Sequence, residues 1–147
     1  MPKAQMVFKT IVPAEQEAIF AYVSDLTNHG EWAGNELVIT PNDADQELGI
    51  GKTYTSKATV RDLVFDAQLT MSKYSPDDQF AFKGADSTGS FEHTFNFKSV
   101  DGGTEVTRVA DFDLSVYLWI RFWVLYLPVR KPAGERAMEN LRQHFSR

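Results

Sequence analysis

Between Lys52 and Leu114 the chain alternates apolar and polar residues through one extended segment after another. A period of two held over that length points to an antiparallel sheet with one greasy face and one wet face. The clearest segment sets Phe91, His93, Phe95 and Phe97 on one side and Glu92, Thr94, Asn96 and Lys98 on the other. Lys52 to Arg61 aligns Tyr54, Ser56, Ala58 and Val60, and Val64 to Tyr74 aligns Phe65, Ala67, Leu69 and Met71. Gln79 to Ala85 brings Phe80 and Phe82 together, and Thr104 to Leu114 brings Val106, Arg108, Ala110, Phe112 and Leu114 to one side. Turn-forming residues separate these segments at Ser75 to Asp78, at Asp86 to Gly89 and at Asp101-Gly102-Gly103.

Before the meander, Met6 to Val12 reads as a strand that Pro13 ends. Acidic residues in the first turn after Pro13, followed by Ile19, Phe20, Tyr22 and Val23, predict a short helix to about Ser24. Asp25 is a cap for a second small helix through about Trp32. Leu37 to Thr40 reads as another strand, and Gly49-Ile50-Gly51 as a flexible entry into the meander. After it, Tyr117 to Tyr126 carries Trp119, Phe122, Trp123 and Tyr126 with Arg121 as its one charge. Beyond Pro128 and Pro132, Met138, Leu141 and Phe145 recur at three- and four-residue steps, the stripe of an amphipathic helix. An aromatic sheet face has to be covered, and this C-terminal helix is the one segment long enough for the task. The expected fold is α+β: a curved antiparallel sheet of about six to seven strands, two short helices after strand one, and a long C-terminal helix gripped by the sheet. No repeat or linker divides residues 1–147, so one domain is expected.

Composition narrows the function classes. The formal net charge of −5, with no basic stripe, argues against nucleic acid as a partner. No cysteine is present, which removes disulfides and thiolate chemistry and fits a reducing compartment. No secretory signal is readable at the N-terminus, and the longest apolar run, Leu114 to Val129, is broken by Arg121 and Pro128, so a cytoplasmic location is expected. His29, His93 and His144 fall in no ligand spacing, and the glycine turns lack the strand-to-helix context of a phosphate cradle. Neither a metal nor any other cofactor is expected.

Particular residues carry a resemblance. Val12-Pro13-Ala14 leads into Ile19-Phe20-Ala21-Tyr22-Val23-Ser24-Asp25, with Glu31-Trp32 a few residues on; Gly49-Ile50-Gly51, then Asp101-Gly102-Gly103-Thr104-Glu105-Val106-Thr107 and Met138-Glu139-Asn140-Leu141 follow in order. In order and spacing the chain resembles the START-like (SRPBCC, helix-grip) superfamily, and within it the polyketide cyclase/dehydrase and lipid transport family, relatives of the major pollen allergens. The resemblance implies the helix-grip fold and a range of roles from lipid transport to polyketide cyclisation, so function has to be argued from the site.

His93 and Arg108 both fall on the inward face of neighbouring strands. One reading makes them a polar anchor in an apolar pocket, holding a carboxylate, enolate or carbonyl oxygen; the other satisfies His93 within the protein and pairs Arg108 with a carboxylate or lets it reach solvent. Tyr54 and Ser56 either add hydroxyls to the pocket or are core groups bonded to backbone. Glu31 is a mouth acid or a solvated loop glutamate. Phe65, Leu69, Met71, Phe80 and Phe82, then Phe91, Phe95 and Phe112, are lining candidates, as are Trp119, Trp123, Tyr126 and Met138 from the C-terminal arm; the same residues make a filled core if no void is left. Arg121 needs Asp111 or Asp113 if buried, and otherwise faces lipid headgroups or a subunit interface.

The leading expectation is a protein that binds a small hydrophobic molecule, lipid-like or polycyclic, between sheet and C-terminal helix. The alternative is a polyketide cyclase or aromatase using His93, Arg108 and Tyr54. A third reading gives Tyr117 to Tyr126 to a membrane surface or a homodimer.

Overall fold

The computed structural model describes every residue except Met1, Asn35, Arg61, Ser87, Thr88 and Arg147; the side chains of Val60 and Asp86 are also outside the description. Strand β1 (Lys3–Val12) is followed by helix α1 (Gln16–Ser24), a 3-10 helix (Leu26–Glu31) and strand β2 (Val38–Pro41). The meander is β3 (Thr53–Val60), β4 (Leu63–Ser75), β5 (Gln79–Asp86), β6 (Gly89–Val100) and β7 (Gly103–Leu114). Helix α2 (Val116–Val124), a π-helical turn (Tyr126–Arg130) and helix α3 (Lys131–His144) complete the chain. All seven strands form one antiparallel sheet in the order β1-β7-β6-β5-β4-β3-β2, so the first strand closes against the last. This is the expected α+β architecture. The middle of the turn expected at Asp86 to Gly89, and Arg61 at the end of the segment from Lys52, lie outside the described residues.

Local rules account for most boundaries. Asp25 caps the 3-10 helix, its carboxylate accepting from the Thr27 backbone N–H at 3.2 Å and the Thr27 hydroxyl at 2.7 Å. Ser115 caps α2 by accepting from Leu118 N–H. Strict alternation fails once, in β4, where a bulge between Met71 and Lys73 inserts Ser72. Beyond it Tyr74 pairs with Phe80 and turns inward, packing its ring 5.6 Å from Phe20. Simple parity from Phe65 puts Tyr74 on the outer face, so the bulge corrects that reading.

The cover of the aromatic face differs from the expectation that the C-terminal helix alone supplies it. Helix α3 runs along β1 and buries Ala137, Met138 and Leu141. Over β5 and β6 the cover is α1 and the 3-10 helix. Phe20 meets Phe97 at 5.2 Å and Phe80 at 6.0 Å, and His29 and Trp32 lie 5.7 and 6.1 Å from Phe95. The two short helices are therefore the lid over the centre of the sheet, and the long helix closes its edge. Helix α2 buries Phe122 in the core and packs Leu118 partly against it; Trp119 and Trp123 are 36% and 41% exposed. At 100° per residue Trp123 stands about 100° and Trp119 about 60° from Phe122 on the same side of the helix, and with their exposure they do not line the interior.

The crossing of α3 over β1 depends on Gly134, where an added Cβ would overlap the ring of Phe8. Gly134→Ala in an unconstrained helix would add up to about 1 kcal/mol of stability. Here the overlap reverses the sign, and a net loss of about 1–3 kcal/mol is expected in urea unfolding. A variant as stable as the parent would show that the crossing has room to spare around Phe8.

Candidate functional site

Along β6 and β7 the inner face changes character from one end to the other. Phe95, Phe97 and Val106 are buried, whereas Phe91 and Phe112, further along the same strands, are half-buried, as are Phe65 and Ala67 on β4. One end of the concave face is dry and the other reaches water. His93 and Arg108 sit at the transition. Both are crowded by protein, yet both keep some water-reachable surface, as groups bordering a hollow do.

His93 faces Ala110 and Arg108 faces Phe95 in the ladder, so the two side chains meet diagonally across β6 and β7. Arg108 approaches His93 Nδ1 with Nε at 3.4 Å and a terminal nitrogen at 3.2 Å. The guanidinium carbon also lies 5.7 Å from the centroid of Phe95 and 6.0 Å from that of Trp32, at the limit of cation–π range. Among the described residues the ion pairs are Lys3–Asp113, Lys131–Glu135 and Arg142–Glu139, none of which involves Arg108. The carboxylate partner expected for a structural arginine is absent from that set.

Electrostatics fix the protonation of the pair. Burial, then the Arg108 charge, then His29, hold the His93 pKa well below its ordinary value, so the ring is neutral. Burial lowers Arg108 only to about 10, leaving it charged at neutral pH. A neutral imidazole that accepts from Arg108 at Nδ1 carries its proton on Nε2. Arg108 and His93 Nε2 are thus both hydrogen-bond donors. His29 lies behind them, buried; its Nε2 donates to Val23 O at 2.8 Å, and burial, opposed in part by that bond, brings its pKa to about 4.

The other candidates divide. Tyr54 is buried, its hydroxyl has no partner among the described residues, and burial with the charge of Asp25 raises its pKa to about 12, so it stays a donor. The backbone bond expected for it is not made. Ser56 is buried beside Ile39 and Ala67 in the ladder. Leu69, Met71, Phe82, Phe95 and Met138 are core residues, with Phe82 stacked on His93 at 5.2 Å. Phe65, Phe91 and Phe112 form the wetter end. Glu31 is exposed and accepts from Tyr22 OH at 2.8 Å, and Arg121 is exposed. Asp113 pairs with Lys3, and Asp111 accepts from Gln5. Among the described residues no group of three His, Asp or Glu side chains could hold a metal ion.

Sequence reasoning passed over His29 and Trp32 as site residues. Leu26, His29 and Trp32 are all buried and stand at steps of three, the repeat of a 3-10 helix, which puts them on one side. That spacing was the readable signal. Separately, an open groove of about 720 Å³ crosses the ends of β1, β7, β6 and β5, with Lys3, Lys83, Glu92 and Asp111 in its wall beside Phe91 and Phe112. Its polar lining belongs to the outer rows, so it is a surface groove and not the chamber expected under the sheet.

A seven-stranded antiparallel sheet curved over a C-terminal helix, with two short helices after the first strand, is the helix-grip fold. The chain belongs to the polyketide cyclase/dehydrase and lipid transport family, whose model matches residues 3–145. Similar solved structures include an aromatase/cyclase from a Streptomyces species, with TM-score 0.78, 9% identity and coverage of 99% of this chain and 95% of that one. A protein from Thermus thermophilus has TM-score 0.74, 13% identity and coverage of 99% and 97%. A major latex-like protein from Panax ginseng has TM-score 0.66, 8% identity and coverage of 97% of each chain. At these identities the likeness shows the fold alone. No curated protein matches the sequence.

The two buried histidines make stability depend on pH in a predictable sense. The native pKa of His29 is about 4 and that of His93 is also depressed, against about 6.5 in the unfolded chain. Below pH 6.5 the unfolded state takes up protons that the native state refuses. Stability is therefore full above about pH 6.5 and falls as pH drops toward 4, at a rate approaching about 1.4 kcal/mol per pH unit for each ring. His29→Gln keeps a donor for Val23 O and removes one titration, so the slope of urea-unfolding free energy between pH 6.5 and 5 should fall by about half. An unchanged slope would contradict a neutral imidazole at His29 in the folded protein.

Proposed function

We propose that the protein binds a small, largely apolar molecule that carries an acidic or carbonyl oxygen, with Arg108 and His93 holding that oxygen. The observation behind this reading is the Arg108 guanidinium, enclosed by aromatic rings and hydrogen-bonded, among the described residues, only to a neutral imidazole nitrogen. A buried cation without a counter-charge is costly, and a ligand anion offsets that cost. The remaining guanidinium N–H groups and His93 Nε2–H are donors that suit such an acceptor, and the half-buried end at Phe91 and Phe112 gives an apolar body somewhere to lie. Family membership, in a group that includes lipid transport, supports the same class of ligand.

Cyclisation or dehydration of a polyketide-like substrate is the second reading, and family membership favours it equally. The hydrogen bonding weighs against His93 as its general base. With Nδ1 turned to Arg108 and the proton on Nε2, the ring can support a developing enolate oxygen by donation but has no lone pair to take a proton from carbon. Binding and orientation are what the pair is arranged to do.

Parinaric acid, a fluorescent fatty acid, and its methyl ester separate charge recognition from simple apolar burial. The parent protein should bind the acid more tightly than the ester. Arg108→Met should weaken the acid by about 10- to 100-fold, the range of one charged hydrogen-bonding group, and leave the ester almost unchanged. The variant should unfold at the same or higher temperature, since a buried charge is exchanged for an apolar chain. Absence of binding by the parent, or an acid preference that survives in Arg108→Met, would remove the proposal.

A further inference from the structure

Helix α2 is amphipathic in the inverted sense. Phe122 is buried, while Val116, Ile120 and Val124 make a stripe on the opposite side, 63%, 53% and 68% exposed. Steps of four keep these three side chains on one line along the helix. Leu127, in the π-helical turn, continues the apolar surface at 70% exposure. Trp123 and Trp119 flank the stripe on one side and Tyr117 on the other, as interfacial aromatics flank an apolar strip. Bare apolar surface of this extent marks a contact with something other than water.

Charge says what that contact is. The chain carries a formal net charge of −5, yet no acidic residue occurs between Asp113 and Glu135, where Arg121, Arg130 and Lys131 stand. Arg121 is exposed beside the stripe, whereas Arg130 lies over the buried ring of Phe122, 4.4 Å from its centroid, on the inner side of the helix. The geometry points to docking of α2 and the following turn, in the plane of the interface, on a lipid bilayer that carries anionic headgroups. The apolar stripe enters the acyl boundary and Arg121, beside it, meets the headgroups. A second copy of the chain fits less well, because a two-fold contact places the same cations and the same patch on both sides. Among the described residues no helix is long and apolar enough to cross a membrane, so α2 lies on the surface.

Vesicle partition of the full chain tests this without any ligand. Flotation with vesicles of phosphatidylcholine containing one part in three phosphatidylserine is expected to recover the protein, with a blue shift of tryptophan emission. Pure phosphatidylcholine vesicles should bind it more weakly, and added salt should weaken the anionic case. Arg121→Gln should reduce partition about fivefold, the value of one cation near such a surface, and Ile120→Ser with Val124→Ser should abolish it. All three side chains face solvent, so thermal unfolding should be unaltered; if the double variant misfolds, the Arg121→Gln result and its salt dependence decide alone. Three results would overturn the proposal. One is no partition onto anionic vesicles; another is partition that Arg121→Gln and salt leave untouched; the third is a concentration-dependent dimer, seen by sedimentation, that the double serine variant dissolves.

Discussion

An aromatic sheet face must be kept from water, and in this molecule short elements divide that task unevenly. Cross-strand pairs on β5 and β6 stack their rings, Phe80 on Phe95 at 4.8 Å and Phe82 on His93 at 5.2 Å. Phe20 and Trp32 then meet that layer edge-on. Each such contact contributes about 0.5–1.5 kcal/mol beyond burial, so the stack fixes where α1 and the 3-10 helix can sit. Helix α3, tied to the same lid through Asn140 and the Trp32 carbonyl, closes the β1 edge. What remains, the end of the sheet near Phe91 and Phe112, meets Phe122 of α2 and stays half-buried among the described residues.

Placing a guanidinium at that boundary has consequences for its neighbours. Burial depresses the basicity of both histidines, and Arg108 does so further, which leaves a site with one fixed positive charge and two neutral rings. No proton uptake near neutral pH alters that pattern. A site of constant charge that offers donors and few acceptors would suit the acceptor oxygen of the proposed ligand. Trp32 Nε1, buried without a partner among the described residues and in a ring 6.0 Å from the Arg108 guanidinium carbon, adds to the excess of donors.

How much of this could be read from the chain depends on which periodicity carried the information. Period two is robust, so the sheet, the inward row Phe91-His93-Phe95-Phe97 and the meeting of His93 with Arg108 followed from counting alternate residues. A single inserted residue defeats that count, and Ser72 is the case: no residue type announces a bulge, yet it moves Tyr74 to the other face. The 3-10 helix hid His29 and Trp32 because a window tuned to 3.6 residues per turn scatters positions that a repeat of three aligns. The aromatic run was misplaced for another reason. Apolar residues in a helix usually declare a buried side, and composition cannot say that α2 would bury Phe122 and leave the tryptophans outside. That no carboxylate among the described residues pairs with Arg108 was also beyond the sequence, since parity assigns side chains to faces and does not say which charges from other elements reach them.

The position of α2 ties the exposed stripe to the interior. Its one buried ring, Phe122, packs 5.2 Å from Phe112, which belongs to the half-buried end of the sheet. The outer side of the helix is therefore one helix diameter, about 10 Å, from the inner wall where an apolar ligand would lie. An apolar molecule leaving such a wall for bulk water loses about 25 cal/mol per Å² of buried surface, whereas passage into lipid at the same end avoids most of that loss. On the proposed reading, whatever rests on α2 would therefore set the medium into which a ligand at the open end of the sheet is released.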